Sequence, residues 1–243
     1  MTSTHAPFFF GGVREDGSVS LVDEDARHLA RARRARQGDL IRVGDGAGTI
    51  HEVRLNSVTQ QSVEGTAVTT ERIPKKRPSV AVFQALAKGG KADGIIQRLV
   101  EVGVDEVVIF TSGRSVPDWE PNKGDRMVQR WEAIAVGAAK QSHRAWLPVI
   151  RGPLSFEDLL AGISPPALVG VPDAGVSLRA ALPSDPEQVS IIVGPEGGLA
   201  PEEVSSLEGS GAVAVSLGPQ ILRTETAALV LTTAVMYHYN RLG

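Results

Sequence analysis

Two glycine-proline stretches near the carboxyl end concentrate the residues that could do chemistry: IIVGPEGGLAPEE from Ile191 and VAVSLGPQILRTETAALVL from Val213. Each follows a short apolar run with the character of a buried strand, so each loop exposes backbone amides and carbonyls at a strand's carboxyl end. In open α/β sheets ligands bind along that edge. Two such loops can offer main-chain groups to one flat heterocycle. Arg223-Thr224-Glu225-Thr226 adds charge and hydroxyl groups in a setting that looks buried, between Ile221-Leu222 and the apolar run from Ala227 to Leu231. The spacing points to a small-molecule pocket with polar catalytic groups beside it.

Each stretch also has a purely structural reading. Gly194 to Gly198 could be a tight strand-to-helix turn, because Pro201 with Glu202 and Glu203 marks the first turn of a helix. Two carboxylates there oppose an anion at the helix end, so a neutral or cationic ligand suits the loop better than a phosphate. Arg223 and Glu225 could form an ion pair, with Thr224 or Thr226 capping the next helix. One pocket accounts for both stretches at once, which two unrelated turns do not. No Walker loop, complete G-x-G-x-x-G fingerprint or nucleophile elbow occurs, which removes the usual support for nucleoside triphosphate, dinucleotide and serine-hydrolase chemistry. The histidines His5, His28, His51, His143 and His238 lack metal-ligand spacing, and no metal requirement is expected.

The elements that must position these residues fall into two groups. With 243 residues, 42% of them hydrophobic, the chain has room for one large domain or two unequal ones. The absence of cysteine excludes disulfides and thiolate metal sites, and a reducing cytoplasm is the natural setting. The start, MTSTHAPFFFGG, lacks a basic leader and a long apolar run, so no signal peptide is expected, and no segment is long enough to span a bilayer. Composition shifts at IPKKRPS, residues 73 to 79, where two prolines flank a basic triplet. A boundary there gives a first domain over residues 1–74 and a second over 78–243.

Before the boundary the pieces are strand-like. DLIRVGDG and GTIHEVRLNSV meet at an Asp-Gly hairpin signal, and one helix is expected over about Asp23 to Arg36, in a small β-barrel-like domain. After it, short apolar strands (SVAVFQAL, DEVVIFTS, ALVGV, SIIVG, AVAVSLG) alternate with helices (KADGIIQRLVEVG, RMVQRWEAIAVGAAKQS, TAALVLTTAVMYHYN). That alternation implies α/β architecture, a mostly parallel sheet with helices on both faces. Residues 1–77 hold 12 Lys and Arg against 10 Asp and Glu, whereas the rest holds 13 against 18, so the first domain is the better anion-binding surface. Arg27, Arg31, Arg33, Arg34 and Arg36 suit a phosphate backbone, although a solvated surface helix would also explain them. Aromatic residues are few before residue 119, which leaves shape and phosphate contacts to dominate any RNA binding.

The pairing of IIVGPEGGL with LGPQILRTETAAL resembles the signature of the SPOUT methyltransferases, and within them the RsmE family, which methylates N3 of a uridine in 16S ribosomal RNA of the small subunit. QALAKGGKADGIIQRLVEVGV, SGRSV, AAKQSHR and HLARARRARQGDLIRVGDGAG are similar to further family segments, so the resemblance covers most of the chain. Ala200 stands where Ser or Thr is common and Arg98 where Lys is usual.

The resemblance implies a PUA-like RNA-binding barrel followed by a catalytic domain whose tail forms a deep trefoil knot. It also implies a homodimer with each site near the subunit interface, and S-adenosyl-L-methionine as cofactor. The cofactor would be held by Val169, Gly170, Gly194, Pro195, Gly197, Gly198, Leu217, Gly218, Ile221, Leu222 and Thr226. Arg223, Glu225 and Glu196 are the expected catalytic residues. Lys88, Arg114 and Arg144 join the five arginines as expected RNA contacts. Two alternatives remain open at this point: a SPOUT ribose 2'-O RNA methyltransferase, and a ribosome-associated RNA-binding protein without catalysis.

Overall fold

The computed structural model describes residues 6–114 and 121–242. His5 and the end of the SGRSV segment lie outside the described residues. The chain divides into two compact units, residues 1–75 with 139–147, and residues 76–138 with 148–243.

The first unit is a curled, mixed five-stranded sheet. Its strands are β1 (Phe8–Phe10), β2 (Ser18–Val22), β3 (Leu40–Gly44), β4 (Thr49–Val58) and β5 (Ser62–Arg72), in the spatial order β1-β3-β4-β5-β2. Only the β1–β3 pair is parallel. Alternation along the strands sends Val19, Leu21, Ile41, Val43, Val53, Leu55 and Val63 into one core with Phe9 and Leu29. The hairpin between β3 and β4 closes as the Asp-Gly signal requires: the Asp45 carboxylate accepts from the Ala47 and Thr49 amides at 2.7 and 2.9 Å.

The helix expected over Asp23 to Arg36 is much shorter. Helix α1 (Asp23–Arg27) continues only as a wider π-type turn over His28–Ala32, closed by the Arg33 amide on the His28 carbonyl at 3.1 Å. Arg34 then takes a positive φ of 51°, which turns the chain out of any helix. Residues 139–147, assigned by sequence to the second domain, belong with this unit. There the Lys140 ammonium meets Asp25 at 2.8 Å, the Trp146 indole donates to the Ile73 carbonyl at 2.9 Å, and His143 stacks on Phe8.

The second unit is a seven-stranded, all-parallel sheet of β6 (Ser79–Ala85), β7 (Glu106–Phe110), β8 (Val149–Leu154), β9 (Ala167–Gly170), β10 (Val176–Ser177), β11 (Gln188–Val193) and β12 (Ala212–Ser216), ordered β10-β12-β9-β11-β6-β7-β8. Its helices are α2 (Lys91–Val102), α3 (Pro121–Gln141), α4 (Phe156–Gly162), α5 (Leu178–Ala181), α6 (Pro201–Gly209) and α7 (Thr224–His238). The central strands are buried on both faces, which is why they read as continuous apolar runs. Leu159 of α4 and Leu207 of α6 pack on the face carrying Phe83, Val169 and Ile192. The opposite face meets α7, whose Leu231 reaches Gly170, and α7 packs in turn on α2, β6 and β11.

This arrangement produces the threading. Strand β12 lies between β9 and β10, and both belong to the segment running from β9 through β10 to β11. That segment is closed into a loop by β9–β11 pairing. The chain enters β12 from α6 on one face and leaves it for α7 on the other, so residues 200–238 pass through the loop. Few folds thread the chain in this way.

Candidate active site

The carboxyl ends of β9, β11 and β12 converge on a cavity of about 130 Å³ that opens to solvent. It is bounded by residues 170–172, 193–196 and 198, and by 215, 217, 218 and 220–222, so both Gly-Pro stretches line the same space, and Thr224 and Ala227 complete it from α7. Glu196 is the single ionisable residue among those lining it. A cavity walled by main-chain groups, aliphatic side chains and one carboxylate suits a ligand with a flat polar ring and a positive charge, and disfavours a phosphate.

The first loop is shaped by close packing. A Cβ on Gly194 would lie 3.0 Å from the Leu199 amide nitrogen, and Gly198 has a φ of 69°. Helix α6 begins at Pro201 with Ala200 as its cap, and Ala200 has no side-chain oxygen to offer. The Glu203 carboxylate ties down the helix start in another way, accepting from the Ala200 amide at 2.7 Å and from the Gly113 amide at 2.8 Å. One of the two first-turn carboxylates is therefore committed to structure.

Thr224 ties this loop to the threaded segment. Its hydroxyl donates to the Gly194 carbonyl at 2.6 Å and accepts from the Gln84 side-chain amide at 3.0 Å, and that amide also donates to the Ala85 carbonyl at 2.9 Å. Thr224 and Gln84 are both buried. The chain thus fixes three distant segments with one hydroxyl.

Charge gathers at the edge of the cavity beside Glu196. Lys91, the first residue of α2, follows Gly89 and Gly90, which have φ of 67° and 74°. Its ammonium lies 2.8 Å from Glu196 and 3.8 Å from Glu225. The Lys88 amide also donates to the Glu196 carboxylate, at 3.2 and 3.4 Å. Burial alone would raise the Glu196 carboxyl, but hydrogen bonds from Lys91 and from backbone amides offset it and hold the group below the ordinary carboxylate range. The hydrogen bond to Glu196 holds the Lys91 ammonium above its ordinary range.

Of the residues expected to hold a cofactor, Gly170, Gly194, Pro195, Gly198, Leu217, Gly218, Ile221 and Leu222 line the cavity. Val169, Gly197 and Thr226 do not. The strand pleat turns Val169 into the core beneath α6, Gly197 lends its carbonyl to the Arg114 guanidinium at 2.8 Å, and Thr226 is exposed on the first turn of α7. Val171, Pro172, Val193, Val215, Gln220, Thr224 and Ala227 line it without having been singled out as cofactor residues. Strand ends next to each Gly-Pro turn would have indicated several of them.

Arg223 is exposed, contrary to the buried setting its neighbours suggested, and the ion-pair partner of Glu225 is Lys91. Arg223 is the N-cap residue of α7 in extended conformation, so its side chain leaves the helix before the buried face begins. Arg27, Arg31, Arg33, Arg34, Arg36, Lys88 and Arg114 are all exposed, and Arg144 is half-buried. Among the described residues no helix is long and apolar enough to cross a membrane, and no group of three or more His, Cys, Asp or Glu is arranged for a metal ion.

Residues 74–236 match a family model described as an RNA methyltransferase domain, and residues 21–67 match an RNA methyltransferase PUA domain. Ribosomal RNA small subunit methyltransferase E of Mycobacterium bovis is 33% identical over 237 residues, covering 94% of this chain and 90% of its own length. The protein of that name from Bacillus subtilis is 30% identical over 236 residues, covering 93% and 92%. The crystal structure of ribosomal RNA small subunit methyltransferase E from Neisseria gonorrhoeae bound to S-adenosyl methionine superposes with a TM-score of 0.87 at 26% identity, covering 97% of this chain and 98% of that one. A threaded parallel sheet, a cavity at its knotted edge and these matches along nearly the whole chain agree, and the chain belongs to the ribosomal RNA small subunit methyltransferase E family.

Proposed function

We propose that this protein transfers the methyl group of S-adenosylmethionine to N3 of a uridine in the 16S ribosomal RNA of the small subunit. The observation that carries the reading is the cavity, where both Gly-Pro loops meet and Glu196 is the only ionisable lining residue. The cofactor's adenine matches the main-chain groups of the loops, and its cationic sulfonium and ammonium match a wall that holds a carboxylate and no cation. Gly194, Gly198, Leu217, Gly218 and Leu222 would hold it through their backbone atoms. When bound, it supplies a methyl group on a positively charged sulfur that departs as a neutral thioether.

The protein's own contribution is alignment and proton handling. Holding the two reactants in line is worth roughly 7 to 11 kcal/mol of the barrier. The neutral imide nitrogen is a poor nucleophile, so its proton has to leave. Arg223, exposed at the start of α7, stabilises the uracil anion or a neighbouring phosphate, and Glu196 or Glu225 orients groups or takes the proton. The exposed arginines between Arg27 and Arg36, with Lys88, Arg114 and Arg144, supply the phosphate contacts. A homodimer fits the large apolar side chains left exposed near the cavity and along α7: Ile221 at 85%, Tyr237 at 74% and Val230 at 40%. Light scattering should give twice the chain mass, reduced by Tyr237→Asp with Val230→Asp.

Arg223→Ala tests the catalytic assignment. It should bind S-adenosylmethionine with near-normal affinity by calorimetry and methylate small subunits more slowly by about 10²-fold. Unchanged methylation would remove Arg223 from the mechanism.

A further inference from the structure

We propose that Lys91 is a positioning residue that gives unlike roles to the two carboxylates it bridges: Glu196 is held as a fixed wall of the cavity, and Glu225 is the group that accepts the imide proton. The inference rests on the uracil-N3 reading above and decides between the two carboxylates.

The two glutamates differ in how their oxygens are occupied. Glu196 receives the Lys91 ammonium at 2.8 Å and shares the Lys88 amide between both oxygens, so two donors already hold it before any substrate arrives. Donors of that number also make it a weak base, as its lowered pKa agrees. Glu225 is held more loosely. Its Oε2 is buried without a hydrogen-bond partner and lies 3.8 Å from the Lys91 nitrogen, while the side chain as a whole keeps 25% of its exposure. Oε2 therefore faces the cation yet carries no hydrogen bond, and the carboxylate remains available as an acceptor. Glu225 follows Thr224, which lines the cavity, and shares Lys91 with Glu196, which also lines it.

The surroundings leave little else to set its charge. Among the described residues Lys91 on α2 is the cation within ion-pair reach of Glu225; Arg223 on the same turn and Glu196 across Lys91 are the other charges at this spot. Strands β6 and β11, which pack against α7, carry no charged residue. Gly89 and Gly90, both in the left-handed region that glycine adopts without strain, lead into α2, whose first residue is Lys91.

The step balances as follows. The N3–H bond breaks and its proton passes to the free Glu225 oxygen; the N3 electron pair forms the new bond to the methyl carbon as the carbon–sulfur bond breaks, its pair remaining on sulfur. Lys91 holds the Glu225 carboxylate beside Glu196 without donating a short hydrogen bond to it, 3.8 Å against 2.8 Å for Glu196.

The test compares Glu225→Gln, Glu196→Gln, Lys91→Gln and Lys91→Arg. Single-turnover methylation of small subunits lacking the modification is measured between about pH 6 and pH 9, where the imide's own ionisation grows about tenfold per pH unit. Wild type should be nearly flat across this range. Glu225→Gln should be slower by about 10²-fold near neutrality and recover about tenfold per pH unit, because the imide then ionises without help. Glu196→Gln should lower S-adenosylmethionine affinity by calorimetry while its profile keeps the wild-type shape. Lys91→Gln should slow the reaction near neutrality and give a profile that rises with pH as in Glu225→Gln, with Lys91→Arg restoring the flat wild-type shape. A Glu225→Gln profile parallel to wild type, a rising profile in Glu196→Gln instead, or a Lys91→Gln profile parallel to wild type would overturn the assignment. Absence of methyl transfer to uracil N3 by the wild type would instead overturn the functional reading beneath it.

Discussion

At the residue scale, Thr224 shows how one hydroxyl can hold a site together. It bonds both the Gly194 carbonyl of the first loop and Gln84 of β6, which lies 140 positions before it in sequence. Thr224→Val keeps the shape but strands a carbonyl and an amide in a buried setting, a loss of about 1–3 kcal/mol. Urea unfolding should show that destabilisation, calorimetry should show weaker S-adenosylmethionine binding, and Thr224→Ser should recover most of both. The sequence displays Thr224 as a possible helix cap and Gln84 as an ordinary strand residue, because neither carries a sign of a partner so far along the chain. Lys91 escaped for the same reason, whereas the glycines and prolines of the loops announced themselves through local backbone demands alone.

At the scale of elements, helix and strand alternation after residue 78 was readable from apolar periodicity, and β6, α2, β7, β9, β11, β12 and α7 fall where it places them. Strand β8 was not, since Arg151, Gly152 and Pro153 interrupt its apolar pattern, and β1, at three residues, is too short for one. The amino-terminal helix is shorter than its sequence suggests, because periodicity cannot register a single residue in the left-handed region, here Arg34. The first loop offers a test at this scale. Gly194→Ala brings a methyl group to 3.0 Å from the Leu199 nitrogen and 3.3 Å from the Gly198 carbonyl carbon, both main-chain atoms with little room to yield. The variant should fold, with the loop displaced and cofactor affinity reduced by roughly tenfold or more in calorimetry, as expected when close packing is overfilled by about 1–3 kcal/mol. In the first unit, burial first and then Arg42 hold the His143 imidazole below its ordinary range. The unfolded chain therefore takes up this proton more readily, so the contribution of His143 to stability is full above the ordinary histidine range and is lost as pH falls toward the lowered value. Unfolding free energies across that interval should fall less steeply with acid in His143→Gln, provided the variant keeps the stacking on Phe8.

At the scale of the whole molecule, the second unit depends on threading that no local pattern encodes. Strand order and the side on which each helix packs create it, and in the sequence it was available only through resemblance to a knotted family. The tail that follows the threaded segment is pinned: the Arg241 guanidinium lies 2.5 Å from the Asp105 carboxylate, with side chains only 7% and 5% exposed, and donates to the Pro78 and Gly103 carbonyls. Arg241→Met would leave Asp105 buried without its cation and should cost about 3–5 kcal/mol in equilibrium unfolding. The claim on which all of this converges is that the two Gly-Pro loops form one cavity for methyl transfer to uracil N3 of small-subunit ribosomal RNA. Its most direct test is to incubate small subunits from a strain lacking the modification with this protein and isotopically labelled S-adenosylmethionine, then digest the RNA and identify the nucleosides by mass spectrometry. The account predicts labelled 3-methyluridine in stoichiometric yield, and label in a ribose 2'-O-methyl nucleoside, or in none, would contradict it.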